Sequence, residues 1–278
     1  MKAVISSTYD DKYLYFLPIV TWCWNKLGVD VICFLPTPEV KDMGKLLLIS
    51  NTMAENGMKF QGHYFSSPED KKATYSQCSR LYGACLNYLE DEILITGDVD
   101  MAMFQIPPYI DKITIFGSDL VPDGQFPMCY ASGTVKEWRA AMKLRYDTTP
   151  PNVPDGMVLH VKSYQQCLDE LLGGIECDHF RGNYWGKDQQ TLWENTKDNV
   201  TLIPRARPNT QFASHRIDRD DSFYKDRLDK DIIDAHLWRP GYTEENFPKI
   251  LELLQYFYPE DDFNWLKKYT EEYVKLLE

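Results

Sequence analysis

The stretch EDEILITGDVDMAMFQIP, residues 90–107, decides how the rest of the chain is read. An apolar run through Ile93, Leu94 and Ile95 meets two aspartates two positions apart, Asp98 and Asp100, and the chain then turns apolar again. Side chains alternate in an extended segment, so these two carboxylates point the same way while Val99 turns towards the core. Charges at the end of an apolar strand need a partner. Hard carboxylate oxygens suit Mg²⁺ or Mn²⁺, and two of them leave coordination positions open for the oxygens of a diphosphate. Such a cation would neutralise a departing nucleotide diphosphate.

Working outward, apolar strands alternate with helical patterns. KAVISST (2–8) reads as a strand ending in small hydroxyl residues, and LYFLPIVTWCWNKLG (14–28) as a helix closed by Gly28. VDVICFL (29–35) is a second strand, KLLLI (45–49) a strand or a short helix, and MKFQGHYFS (58–66) another strand. Ser67, Pro68, Glu69 and Asp70 supply an N-cap, a first-turn proline and first-turn acids for a helix running to about Leu89. FPMCYASGTVKEWRAAMKLRY (126–146) predicts a strand, a Ser-Gly turn and an amphipathic helix, and TTPPNVPDG (148–156) a loop. This alternation, with strands apolar on both faces, predicts an α/β fold with a Rossmann-like N-terminal half and the ligand at the C-terminal strand ends.

Composition narrows the classes. The 278 residues, 44% hydrophobic, suffice for one main core. A formal net charge of −12 speaks against a nucleic-acid or anionic-membrane surface. The one local basic cluster is RARPNTQFASHRIDR (205–219). The seven cysteines form no C-x-x-C pair and mostly sit within apolar patterns, so they read as reduced thiols of a soluble, cytoplasmic protein. No apolar run is long enough for a membrane span or a signal peptide. The spacing of His63, His160, His179 and His215 suggests no ligand set.

A first strand ending in Ser6, a helix carrying Arg80 (YSQCSRLYGACL), a strand and then Gly-Asp-x-Asp-Met together resemble the nucleotide-binding half of GT-A glycosyltransferases with their D-x-D motif. GNYWGKDQQTLWE (182–194) resembles their acceptor-side segment, in which an acid opens a helix beneath the transferred sugar. DAHLWRPGY (234–242) is similar to the His-containing C-terminal motif of glycogenin-like members, although here Arg239-Pro240 follows the histidine almost at once where the family has a Gly and a Lys-Pro-Trp further on. The resemblance implies a GT-A mixed sheet flanked by helices and a nucleotide-diphosphate sugar donor. Asp98, Asp100 and His236 would hold Mn²⁺ or Mg²⁺. Ser6, Tyr9, Arg80, Asp98 and Arg239 would contact the nucleotide donor. Asp188 is the catalytic candidate, a base towards the acceptor hydroxyl in an inverting enzyme or a group positioning the donor sugar in a retaining one. Tyr184 and Trp185 are the aromatic platform for a glycan acceptor, since the C–H face of a sugar is apolar.

The GT-A domain is expected over 1–242, divided into a donor half (1–105) and an acceptor half (106–242). Residues 243–278 are expected to form an appendage of two amphipathic helices split at Pro259, with a homodimer contact as their other use. Two rivals remain. A haloacid-dehalogenase-type phosphohydrolase also uses D-x-D, with the first aspartate as nucleophile, but after its first strand, whereas about 90 residues precede the motif here. An inactive relative that only binds nucleotide or glycan is the non-enzymatic alternative.

Overall fold

The structure, a computed structural model, describes residues 1–118, 124–144, 161–175, 186–204, 216–220 and 224–278. Tyr184, Trp185, the 148–156 loop, His160, His179, His215 and residues 205–215 of the basic stretch lie outside the described residues.

In chain order the elements are β1 (Lys2–Ser6), α1 (Asp11–Leu14), α2 (Leu17–Lys26), β2 (Asp30–Pro36), α3 (Met43–Glu55), β3 (Phe60–Phe65), α4 (Lys72–Ser79), β4 (Ile93–Thr96), β5 (Met101–Met103), β6 (Ile113–Phe116) and β7 (Ala131–Thr134). They continue with α5 (Val135–Ala141), α6 (Tyr164–Leu172), α7 (Lys187–Thr196), β8 (Val200–Ile203), β9 (Arg216–Ile217), β10 (Asp234–His236), α8 (Phe247–Phe257) and α9 (Asn264–Lys275). The main sheet runs β3-β2-β1-β4-β7-β6-β8, and a small one runs β5-β10-β9. β3, β2, β1 and β4 are mutually parallel, as the apolar, doubly buried composition of β1, β2 and β4 predicts; β3 is the more exposed edge strand. β7 is antiparallel to both β4 and β6, so the sheet is mixed. A mixed sheet flanked by helices, with two further helices at the C-terminus, is the α/β architecture that the GT-A resemblance implies.

Of the two readings of residues 45–49 the helix holds, since they belong to α3. Several local expectations need correction. The helix expected from Ser67 to about Leu89 is broken into 3₁₀ turns at Glu69–Lys71 and Arg80–Cys85 around α4, and it ends with Leu86 extended. Ser67 does not cap it: among the described residues its buried hydroxyl has no partner. The break follows from packing, because a Cβ at Gly83 would stand 2.9 Å from Val4 Cγ2 of β1; the backbone approaches the strand more closely than a regular helix with side chains could. Ser132 and Gly133 form no turn; they lie inside β7, paired with Thr114 and Leu94 respectively.

The C-terminal helices meet the side of the sheet that carries α2. Leu253 and Leu254 of α8 and Leu266, Tyr269 and Tyr273 of α9 are buried in the same cluster as Tyr15, Phe16 and Trp24. Tyr15 stacks on Tyr269 at 5.4 Å between centroids, and Tyr269 donates a hydrogen bond to the Tyr15 carbonyl at 3.0 Å. Each such aromatic pair adds about 0.5–1.5 kcal/mol beyond the area it buries. Tyr273 donates to Asp11 Oδ1 at 2.8 Å, so α9 also fixes the short helix α1 that follows the first strand. Among the described residues no helix is long and apolar enough to cross a membrane.

Candidate functional site

β1 and β4 are parallel neighbours, so their C-terminal ends open on one edge of the sheet. A cavity of about 470 Å³ lies there, lined among others by Ser6 and Tyr9 after β1, Arg80 after α4, and Asp98 and Asp100 after β4. Gln189 of α7, Arg219, His236 and Arg239 close it from the second half of the chain. Val99, between the two aspartates, is 4% exposed and packs in the core, but the backbone here is a turn after β4 rather than the extended segment expected from the sequence. Tyr9 donates to the Pro36 carbonyl at 2.6 Å, which holds its ring at the wall, and burial pushes its phenol well up.

The two aspartates have different partners. Asp98 is paired with the guanidinium of Arg80. That guanidinium also donates to the Gly97 carbonyl at 3.2 Å and, from Nε and Nη2, to Asp188 Oδ2 at 3.1 and 2.6 Å. Arg80 thus ties the D-x-D turn to the first turn of α7. Burial alone would lower the Arg80 pKa, yet Asp98 and Asp188 outweigh it and keep the group firmly charged. Asp188 is fully buried, and its Oδ1 accepts the Gln189 N–H at 2.9 Å. Burial raises its pKa, and Arg80 offsets this only in part.

Asp100, 4% exposed, accepts from Arg219 at 3.1 Å and lies 3.3 Å from His236 Nε2 and 3.4 Å from Arg239 Nε, all on Oδ2. Burial works to raise its pKa, but His236, Arg219 and Arg239 prevail and hold the carboxylate far below its ordinary range. The pairing of β10 with β5 brings the histidine here: His236 sits opposite Met101, the residue after Asp100, and the Leu237 N–H bonds the Asp100 carbonyl at 2.8 Å. Arg219 Nη2 reaches the imidazole as well, 3.2 Å from Nδ1. Arg239 lies over the ring of Tyr13 at 4.7 Å.

Ser6, Tyr9, Arg80, Asp98, Asp100, His236 and Arg239 therefore line one cavity, whereas Asp188 is placed behind it and is linked to it through Arg80 and Gln189. Sequence reasoning missed Gln189, which lines the cavity beside Asp188, and Arg219, which was visible only as the end of a basic run. Among the described residues no group of three or more His, Cys, Asp or Glu side chains is gathered as a ligand set. The donor chemistry nevertheless fits a divalent cation: a deprotonated carboxylate and an imidazole converge at 3.3 Å, with the second carboxylate on the same wall.

No protein-family model matches the sequence, and no curated protein matches it. Among solved structures, the chain is similar to the galactosyltransferase LgtC in complex with donor and acceptor sugar analogues, at 11% identity over 91% of this chain and 95% of that one, with a TM-score of 0.46. An active-site mutant of LgtC gives 10% identity with the same coverage and a TM-score of 0.49. The glycosyltransferase GlyE of Streptococcus pneumoniae TIGR4 is similar at 10% identity over 76% of this chain and 57% of that one, with a TM-score of 0.32.

Proposed function

We propose that the protein is a metal-dependent glycosyltransferase of GT-A type that moves a sugar from a nucleotide-diphosphate donor to an acceptor hydroxyl, as of a glycan. The observation that carries this reading is the convergence of Asp98, Asp100, His236 and Arg239 on a cavity at the C-terminal edge of the parallel half of the sheet. Asp98, Asp100 and His236 would hold Mn²⁺ or Mg²⁺, which when bound supplies Lewis-acid neutralisation of the leaving diphosphate.

This chain's own residues do the rest. Ser6 and Tyr9 bound the end of the cavity next to β1 and suit the nucleoside part of the donor. Arg239 and Arg219 bring fixed positive charge to the side where negative charge grows as the diphosphate leaves. Arg80, held on two sides by Asp98 and Asp188, points one rigid guanidinium at the D-x-D turn. The full burial of Asp188 supports its positioning role, which belongs with a retaining reaction, rather than that of a base in contact with the acceptor. Tyr184 and Trp185 remain the proposed acceptor platform. The cavity draws residues from both 1–105 and 106–242, which supports the donor and acceptor halves, with 243–278 as a packing unit. A cytoplasmic setting accords with the unbridged cysteines of the described residues. The phosphohydrolase alternative places its D-x-D after the first strand, whereas Asp98 and Asp100 here follow β4.

Incubation with Mn²⁺ and a panel of nucleotide sugars, followed by assay of released nucleoside diphosphate, tests the reading. Release from one donor, abolished by EDTA and by Asp98→Asn or Asp100→Asn, is expected. His236→Ala should weaken Mn²⁺ activation more than Mg²⁺ activation, because Mn²⁺ tolerates nitrogen ligands better. Turnover that persists in EDTA would remove the metal from the scheme.

A further inference from the structure

Behind the cavity, two thiols meet. Cys85 ends the 3₁₀ turn that begins at Arg80, and Cys167 lies in the second turn of α6; their sulfurs are 3.9 Å apart. Both backbones are held. Arg139 donates to the carbonyls on either side of Cys85, Ala84 at 3.0 Å and Leu86 at 3.2 Å. α6 is capped by Ser163, whose hydroxyl accepts the Gln166 N–H at 3.2 Å, and the Cys167 N–H bonds the Ser163 carbonyl at 3.1 Å.

We propose that Cys85 and Cys167 form a reversible intramolecular disulfide, a modification site that staples α6 to the turn carrying Arg80. The two sulfurs already stand at van der Waals distance, and the bond brings them to about 2 Å. The chemistry of the pair is asymmetric in the required sense. The hydrogen bond from Cys85 lowers the Cys167 pKa, against the opposing effects of burial and Glu170 and with help from Lys162. Cys85 is the more exposed of the two, but the hydrogen bond to Cys167 and burial push its thiol far up, and Cys23, Cys33 and Cys78 are completely buried with their thiols pushed up by that burial.

With a small-molecule disulfide as oxidant, Cys167 as thiolate attacks one of its sulfurs and expels one small thiolate. Cys85, its proton passing to that departing thiolate, then attacks the Cys167 sulfur of the mixed disulfide and expels the second. The two cysteines lose two electrons and two protons, and one small disulfide becomes two thiols. Sequence separation between the pair is 82 residues, so the bond restricts a large part of the unfolded chain.

The test exposes the full-length native protein to oxidised glutathione, followed by alkylation and non-reducing peptide mapping. A Cys85–Cys167 cross-linked peptide is expected, reversed by dithiothreitol, with a rise in Tm of about 5 °C or more. Cys85→Ser and Cys167→Ser should each lose both the cross-link and the Tm rise, and Cys85→Ala serves where a serine variant folds poorly. Native protein that ends as stable mixed glutathione disulfides, pairs either sulfur with Cys177 or Cys129, or stays fully alkylatable would overturn the proposal.

Discussion

Arg80 is the residue on which the site's geometry turns. Its planar fork reaches Asp98, Asp188 and the Gly97 carbonyl together, and a lysine ammonium cannot span these partners. Arg80→Lys should therefore lower donor turnover at least tenfold, and Asp188→Asn about a hundredfold, with nucleoside diphosphate binding nearly kept in the latter. A steady-state split of kcat from KM checks both; an Asp188→Asn enzyme that loses nucleotide affinity but keeps kcat would place the residue elsewhere in the mechanism. Asp100 carries a second expectation. Its carboxylate is held below the ordinary range in the folded protein, so its stabilising contribution is complete above about pH 4, the unfolded value, and is lost as pH falls towards the folded value. Asp188, raised by burial, contributes with the opposite sign. Denaturant midpoints at pH 6 and pH 3.5 should show a steeper acid loss in wild type than in Asp100→Asn, and equal losses would contradict the assignment. At this scale the two aspartates were singled out by reading an extended segment, whereas the structure puts Val99 and Asp100 in a turn after β4. Arg219 was not, because its partner Asp100 is 119 positions away and nothing local distinguishes it within a basic run. Gln189 was hidden for a related reason: periodicity identifies a helix start but not which of two adjacent polar residues faces a cavity.

At the scale of elements, β10 and the turn after it deliver His236 and Arg239 to the sheet edge, and Gly241 lets that turn seat. A Cβ there would stand 2.5 Å from Phe16 Cε1 and 2.7 Å from Tyr15 Cε1, both in fully buried rings that cannot step aside. Gly241→Ala should cost about 1–3 kcal/mol of stability. It should also weaken metal activation, because the strain falls two residues from Arg239. Equilibrium unfolding, with metal titration of whatever activity remains, measures both effects, and an unchanged unfolding midpoint would contradict the packing argument. Parallel direction followed from composition where strands are buried on both faces, as in β1 and β2, whereas the order of the strands did not. The α4 segment was misread because capping residues signal a helix start, whereas its early end is imposed by the contact of Gly83 with Val4. β7 was misread for a complementary reason: Ser-Gly is a turn signal in isolation, but strands on both sides claim it for the sheet.

For the whole molecule, the C-terminal helices matter more than their place at the end of the chain suggests. They bury Tyr15 and Phe16 and, through Tyr273 and Asp11, fix the segment that forms the cavity wall next to β1. Removing residues 243–278 should leave a protein without a cooperative thermal transition; a truncated chain that melts cooperatively near the wild-type Tm would show them to be dispensable. The amphipathic spacing of both helices was plain in the sequence, but the surface they cover was not, since it depends on long-range aromatic contacts. The claim that joins all three scales is that the D-x-D edge binds a nucleoside diphosphate through a divalent cation. Calorimetric titration of nucleoside diphosphates into the protein, with and without Mn²⁺, tests it most directly. One diphosphate should bind at least tenfold more tightly with Mn²⁺ in wild type, and that gain should vanish in both Asp98→Asn and Asp100→Asn. Equal affinity with and without the metal, or a gain that survives in both variants, would contradict the account.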